Sequence, residues 1–438
     1  MRPSRRRVIR ARALVLLALG AVACTVATRR PVHTTATSAG EVGPAPRAKS
    51  PRDASLRMVR IALARGVSEA RIAGDGEWLL SAGDGGPVVS TARGGEGWTL
   101  RVADGRIALS GEDGSAPPDR LASVVARPRD ASGTLSFSGR RWRGELRIAV
   151  DDAGQLLVVN YVPMDDYLKG VVPLEIGTRV MSDFAAAEAQ SVAARSYAYM
   201  HLIGPGRPYD MLATVSDQVY GGVTAETLLG NQAVENTSGL VLMYDGRVVN
   251  APYHGNCGGF TAEPGDSWRT GPEPYLQRVS DQIPGTDRFY CESGPRFRWT
   301  RRYTGEELRQ SIVRYLRTVP RGPESIAGVQ SIAVTEVTPA GRVAALTVET
   351  DRGRWTMRGN EIRAALRTVS GEMLYSTYFS VDAVTGRGGV QSLELRGGGN
   401  GHGIGMCQSG AIGRARAGQD FRTILTTYYP GTTIGTID

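Results

Sequence analysis

Lysine is nearly missing from this chain: among 52 basic residues in 438, only Lys49 and Lys169 are lysine, a skew that genome composition accounts for better than function. Cysteine and histidine are also scarce, at four each, so thiolate or imidazole chemistry has few places to reside. The apolar run Ala13 to Val22 is too short to persist as a membrane-spanning helix. A basic folded surface is lacking too, although the net charge is +9. The leader to Cys24 holds six arginines and no acid, and Thr25 to Arg52 adds five cations against Glu41 alone. From Asp53 onward the formal charge is about −1, which excludes nucleic acid as a partner, because a DNA-binding domain carries its excess on the folded part.

What is present at the start is a targeting segment. Residues 1–24 read as a signal peptide, arginines followed by an apolar stretch. Ser4-Arg5-Arg6-Arg7-Val8-Ile9-Arg10 is similar to a twin-arginine export signal, with an ordinary secretion leader as the alternative. The run ends Ala21-Val22-Ala23-Cys24, small residues before a cysteine, as at a lipoprotein processing site. The expectation is an exported protein, lipidated at Cys24 and held on a membrane facing the periplasm or cell wall. Residues 25–52 contain no Phe, Trp or Tyr, cannot build a core and read as a disordered tether.

Residues 53–144 have β texture: Arg57–Leu63 is a strand-length apolar run, and Trp98–Val102 alternates. Further strands are expected at Gly133–Phe137, Gly144–Val150 and Gln155–Tyr161. From residue 145 to 438 helices mix with strands. The alanine-rich stretch Phe184–Leu202 predicts a helix. Asp245-Gly246 predicts a type I′ hairpin between Gly239–Tyr244 and Arg247–His254. Helices are expected over Glu306–Leu316 and Gly359–Leu366, with strands at Ile332–Val337 and Val343–Glu349. Without a regular βαβ alternation the fold class is α+β.

The chemistry centres on Glu175. It sits among Val172, Pro173, Leu174 and Ile176, where lost solvation favours the neutral carboxyl and equips it as a proton donor near neutral pH. Five motifs follow one another: Asp166-Tyr167-Leu168 leading to Glu175, Ala189 to Tyr197, Ser216 to Gly222, Tyr253 to Gly259, and Gly401 to Gln408. Together they closely resemble the SpoIID/LytB family, whose sporulation member is a peptidoglycan lytic transglycosylase. The resemblance runs from about Glu145 to the C-terminus. It implies that Glu175 is the catalytic acid/base and that Arg195 contacts glycan. Phe260 and Ser409 depart from the family pattern.

His254 and His402 lie in glycine turns and are expected to share a cleft with Glu175. Gln218 and Gln408 are candidates for hydrogen bonds to sugar hydroxyls or N-acetyl groups, and Tyr220 for stacking on a pyranose. Asp165 and Asp166 raise a two-carboxylate glycosidase. A lytic transglycosylase does without the second carboxylate, because the sugar supplies its own nucleophile. The implied partners are peptidoglycan glycan strands and, by a role ascribed to some relatives, a cell-wall amidase. No cofactor is required. Cys257, Cys291 and Cys407 remain once Cys24 is lipidated, an odd number that leaves one thiol over. Either Cys257 and Cys291 form a disulfide and Cys407 is free, or the three join His254 in a Cys₃His zinc site.

Overall fold

The computed structural model describes residues 57–202 and 206–437, so the leader, the tether and Cys24 lie outside the described residues. Strand Met58–Val67 is antiparallel to Leu156–Pro163, which continues onto Glu145–Val150 and Ser123–Pro128 in a seven-stranded sheet. A five-stranded sheet built on Glu69–Gly74 and Gly97–Ala103 lies within the same hydrophobic core. The line drawn at residues 144 and 145 is therefore corrected. Non-local ladder pairing welds residue 58 to residue 163, and the sequence shows no trace of it. Helices and several sheets coexist in an α+β fold.

The alanine-rich helix spans Phe184–Met200. Ala186, Ala189, Ala193, Ala194 and Ala198 are all fully buried, so the helix is enclosed over most of its surface, with Glu188 and Tyr199 half-buried. Small side chains let Leu228–Asn236, Gln408–Arg416 and Phe421–Tyr428 pack closely around it. The hairpin at Asp245-Gly246 forms with positive φ at both residues, 48° and 72°, as a type I′ turn requires. The expected second strand is shorter than read and breaks into Arg247–Val248 and Tyr253–His254. Pro252 offers no N–H to a ladder, and its carbonyl accepts instead from Met406 N and Tyr429 Oη.

A second core, from Trp299 to Leu395, forms where no separate module was anticipated. It gathers the sheets Val329–Val337, Val343–Thr350, Gly353–Arg358 and Trp299–Thr304, Gly389–Gly397, Phe379–Gly386, with helix Gly305–Leu316 between them. After this module the chain returns, and Met406–Cys407 pairs in parallel with Tyr253–His254. That return brings the last two motifs together. Among the described residues no helix is long and apolar enough to cross a membrane.

Candidate active site

Glu175 belongs to the short helix Val172–Ile176, which opens on Pro173 and stops at Gly177. Pro is tolerated in a first turn because its missing N–H would have no partner there. Val172 and Ile176 are buried, and Glu175 itself is half-buried. Its Oε1 accepts the Val219 N–H at 2.8 Å, and the Gln408 side chain also hydrogen-bonds the carboxyl. Burial pushes the carboxyl up to about 7, against the smaller downward pull of those two bonds. Both partners are neutral. Helix-dipole stabilisation, the alternative role for such a residue, would lower the value.

Three of the motifs thus meet at one carboxyl. Val219 supplies a backbone donor, which side-chain reading of its motif does not find. Gln408 opens the helix Gln408–Arg416, and its Nε2 donates to Gln190 Oε1 at 3.2 Å on the alanine-rich helix. The Glu175 charge also acts on Tyr167, Tyr197 and Tyr253. Burial, then Asp217 and Glu175, push half-buried Tyr197 up to about 12, and its ring stacks 3.9 Å from that of His201. Nothing in the spacing of Tyr197 and Tyr253 within their motifs aims them at Glu175.

The other expected sugar contacts are corrected by the geometry. Arg195 is fully buried: its Nε and Nη2 hold Asp165 Oδ1 at 3.1 and 2.9 Å, while Nη1 donates to the carbonyls of Thr237 and Leu240. Gln218 is equally buried, accepting from Tyr167 Oη and donating to Ala194 O and Tyr253 Oη. Tyr220 donates to Asn160 Oδ1 at 2.8 Å, its ring packed 4.8 Å from Tyr167 and 5.3 Å from Trp142. Each side chain spends its polar groups inside the fold, because a buried polar group without a partner is costly. For Arg195 a signal existed: its helix is rich in alanine, a composition that lets other elements pack closely against it.

His254 and His402 lie beside each other, ring centroids 5.5 Å apart, and neither hydrogen-bonds Glu175. Ile404 N–H donates to His402 Nδ1 and Nε2 faces Tyr253 O, so the ring is neutral with its proton on Nε2. Burial holds it down to about 3. His254 Nδ1 faces the Ile404 carbonyl, and the group that the sulfurs join does not include this ring, which corrects the expected ligand set. Asp165 binds Arg195 and Ser238 rather than pairing with Glu175. Asp166 faces Lys169 at 3.6 Å and makes no side-chain cap. Of the two departures from the family pattern, Ser409 donates to Gly255 O at 2.7 Å, and Phe260 packs edge-on to Phe289.

The three cysteines converge and stand as free thiols, so the expected Cys257–Cys291 disulfide is corrected as well. The Cys257 and Cys291 Sγ atoms are 3.5 Å apart, in contact but unbonded. The group they join is completed by Asp281, for which no sequence signal exists. Burial pushes the Cys257 and Cys407 thiols up and the Asp281 carboxyl to about 7.

Residues 152–244 match the family described as Stage II sporulation protein, and residues 283–405 match a domain of unknown function, DUF8618, which overlaps the second core. The chain is 29% identical over 339 residues to an uncharacterized protein of Brachyspira hyodysenteriae, covering 77% of this chain and 82% of that one. It is 30% identical over 290 residues to the amidase enhancer of Bacillus subtilis, spanning 61% of this chain but 40% of that protein. Against stage II sporulation protein D of Bacillus subtilis the identity is 26% over 296 residues, 64% of this chain and 76% of the other. With three of its motifs meeting at one carboxyl and these likenesses beside them, the chain carries a SpoIID/LytB-family domain.

Proposed function

We propose that this protein acts on the bacterial cell wall as an exported peptidoglycan lytic transglycosylase. The observation that carries the reading is the Glu175 carboxyl, held at about 7 by burial and contacted by neutral donors only. Such a group is part protonated and part ionised at neutral pH, as a residue serving as acid and then base must be. Protonated Glu175 gives its proton to the oxygen bridging N-acetylmuramic acid and N-acetylglucosamine, and the bond from that oxygen to muramic C1 breaks. The resulting carboxylate takes the proton of the muramic C6 hydroxyl as its oxygen bonds to C1. A 1,6-anhydro ring results, no water is consumed and Glu175 ends protonated. Acid–base help of this kind supplies roughly 10²–10⁴ in rate, and positioning with charge stabilisation must supply the rest.

A second reading is favoured by the likeness to the amidase enhancer: a glycan-binding module that recruits or stimulates a separate amidase. Incubating the protein with purified glycan strands and weighing the products separates the two. New anhydro-muramic ends support the transglycosylase; binding without new ends supports the module. Lipid anchoring at Cys24 is part of the proposal, read by whether fatty-acid label is lost in Cys24→Ser.

The hydrogen bond from Gln408 carries its own prediction. That amide lowers the Glu175 value, so Gln408→Leu raises it. The alkaline limb of the pH profile for anhydro-end formation, set where the acid loses its proton, should move to higher pH in the variant. An unmoved limb would remove Gln408 from the site.

A further inference from the structure

The cysteine cluster includes Cys407, the residue before Gln408, and has no role in the proposed reaction. Cys257, Asp281, Cys291 and Cys407 come from four separate segments, and all four are buried. Their ligand atoms lie within 4.8 Å of one another. Cys257 Sγ is 3.5 Å from Cys291 Sγ and 3.5 Å from Asp281 Oδ2. A tetrahedral zinc ion bonded at about 2.3 Å to sulfur and 2.0 Å to oxygen places two sulfurs about 3.8 Å apart, and sulfur and oxygen about 3.5 Å apart. The observed edges fit.

Donors from the surrounding backbone and side chains converge on the cluster. Cys407 Sγ accepts the backbone N–H of Cys257 at 3.1 Å and of Gly410 at 3.3 Å, two donors converging on one sulfur. Asp281 uses only Oδ1 outward, towards Arg414 at 3.0 Å and Tyr428 Oη at 2.7 Å, which leaves Oδ2 facing the sulfurs. A carboxylate oriented by outer partners with one oxygen turned inward is the usual supporting arrangement of a metal ligand. Arg342 is 2% exposed and makes no ion pair among the described residues. Its Nη2 points at the Cys257 carbonyl and its Nη1 has no partner. A buried guanidinium needs nearby negative charge. Three thiolates and a carboxylate around Zn²⁺ leave two negative charges, which Arg342 and Arg414 balance.

We propose that Cys257, Asp281, Cys291 and Cys407 form a closed, four-coordinate zinc site. With three thiolates the set is soft enough to select zinc over magnesium or calcium. With all four positions filled by protein it has no place for water, so its role is structural rather than catalytic. Zinc joins Cys257, just past the strand Tyr253–His254, to Cys407 on the strand paired with it, and it fixes Cys407, the residue capping the helix that begins with Gln408. Metal binding to such a set is worth folding free energy.

The test needs no activity assay. Protein purified without added metal should carry one zinc per chain by elemental analysis. After cobalt exchange it should show the intense sulfur-to-metal and visible bands of tetrahedral thiolate coordination. Stripping the metal at pH 7 should lower Tm by on the order of 10 °C, with recovery on adding zinc. Asp281→Asn and Cys407→Ser should each lower bound metal at least tenfold in zinc-limited buffer. Because either variant can fail to fold, the wild-type protein gives the deciding measurement: alkylation in denaturant without reductant, followed by peptide mapping. All three cysteines alkylated, with one zinc released, supports the site. A Cys257–Cys291 disulfide, or free thiols with no metal, overturns it.

Discussion

Glu175→Gln is expected to abolish formation of anhydro-muramic ends while glycan strands still bind. Glutamine keeps the shape of the side chain and a carbonyl that can accept the Val219 N–H, which Glu175 takes at 2.8 Å. It cannot donate a proton to a leaving oxygen or accept one from a hydroxyl. Loss of the acid–base contribution alone is worth roughly 10²–10⁴ in rate. A pH series shows that the loss is chemical and not due to unfolding. The native carboxyl titrates at about 7 against an ordinary 4.5. Below pH 4.5 both folded and unfolded states hold the proton, and Glu175 costs nothing. As pH rises to 7 the unfolded chain ionises first, so the native state loses relative stability, and above 7 the penalty is constant. Glu175→Gln should therefore be more stable than wild type at pH 8, by on the order of 1–3 kcal/mol, and equal to it near pH 4. Urea titrations at the two pH values check the sign. A Gln variant cleaving at near wild-type rate would end the proposed mechanism.

Arg195→Met should be the most destabilising single change near the site, at about 3–5 kcal/mol, the range for breaking a buried charge pair by removing one partner. Methionine fills much the same volume, so the cost arises from what is left unpaired. Asp165 loses both N–H donors on Oδ1, and the carbonyls of Val234, Thr237 and Leu240 lose theirs. A glycan-contacting arginine behaves differently: its loss would weaken binding and leave the urea midpoint unchanged. A large fall in the midpoint is the expected result. A weakened glycan affinity with unchanged stability would restore the sugar-binding role.

Much of Glu175 was legible in the sequence because its cause is local. Val172, Pro173 and Ile176 are within three residues and are buried, and burial of Glu175 itself raises the carboxyl. The Asp245-Gly246 turn was legible for the same reason, since backbone preference is set within two residues. Motif letters alone did not separate polar groups facing a substrate from those satisfied inside. Gln218 and Gln408 look alike in sequence, yet one is locked among Tyr167, Tyr253 and Ala194, and the other reaches Glu175.

By itself the sequence determined the α+β class, the alanine-rich helix and the apolar neighbours of Glu175, all consequences of nearest neighbours and short periods. Only the tertiary structure decided which segments meet. Cys257 N–H reaches Cys407 Sγ across 150 residues, over an entire second core, and Asp281 joins them from a loop with no distinguishing pattern. Periodicity reports which face of an element is apolar, whereas the partner of that face is fixed by packing and ladder pairing between elements far apart in the chain. The neutral donors on Glu175 and the enclosure of Arg195 are settled at that level.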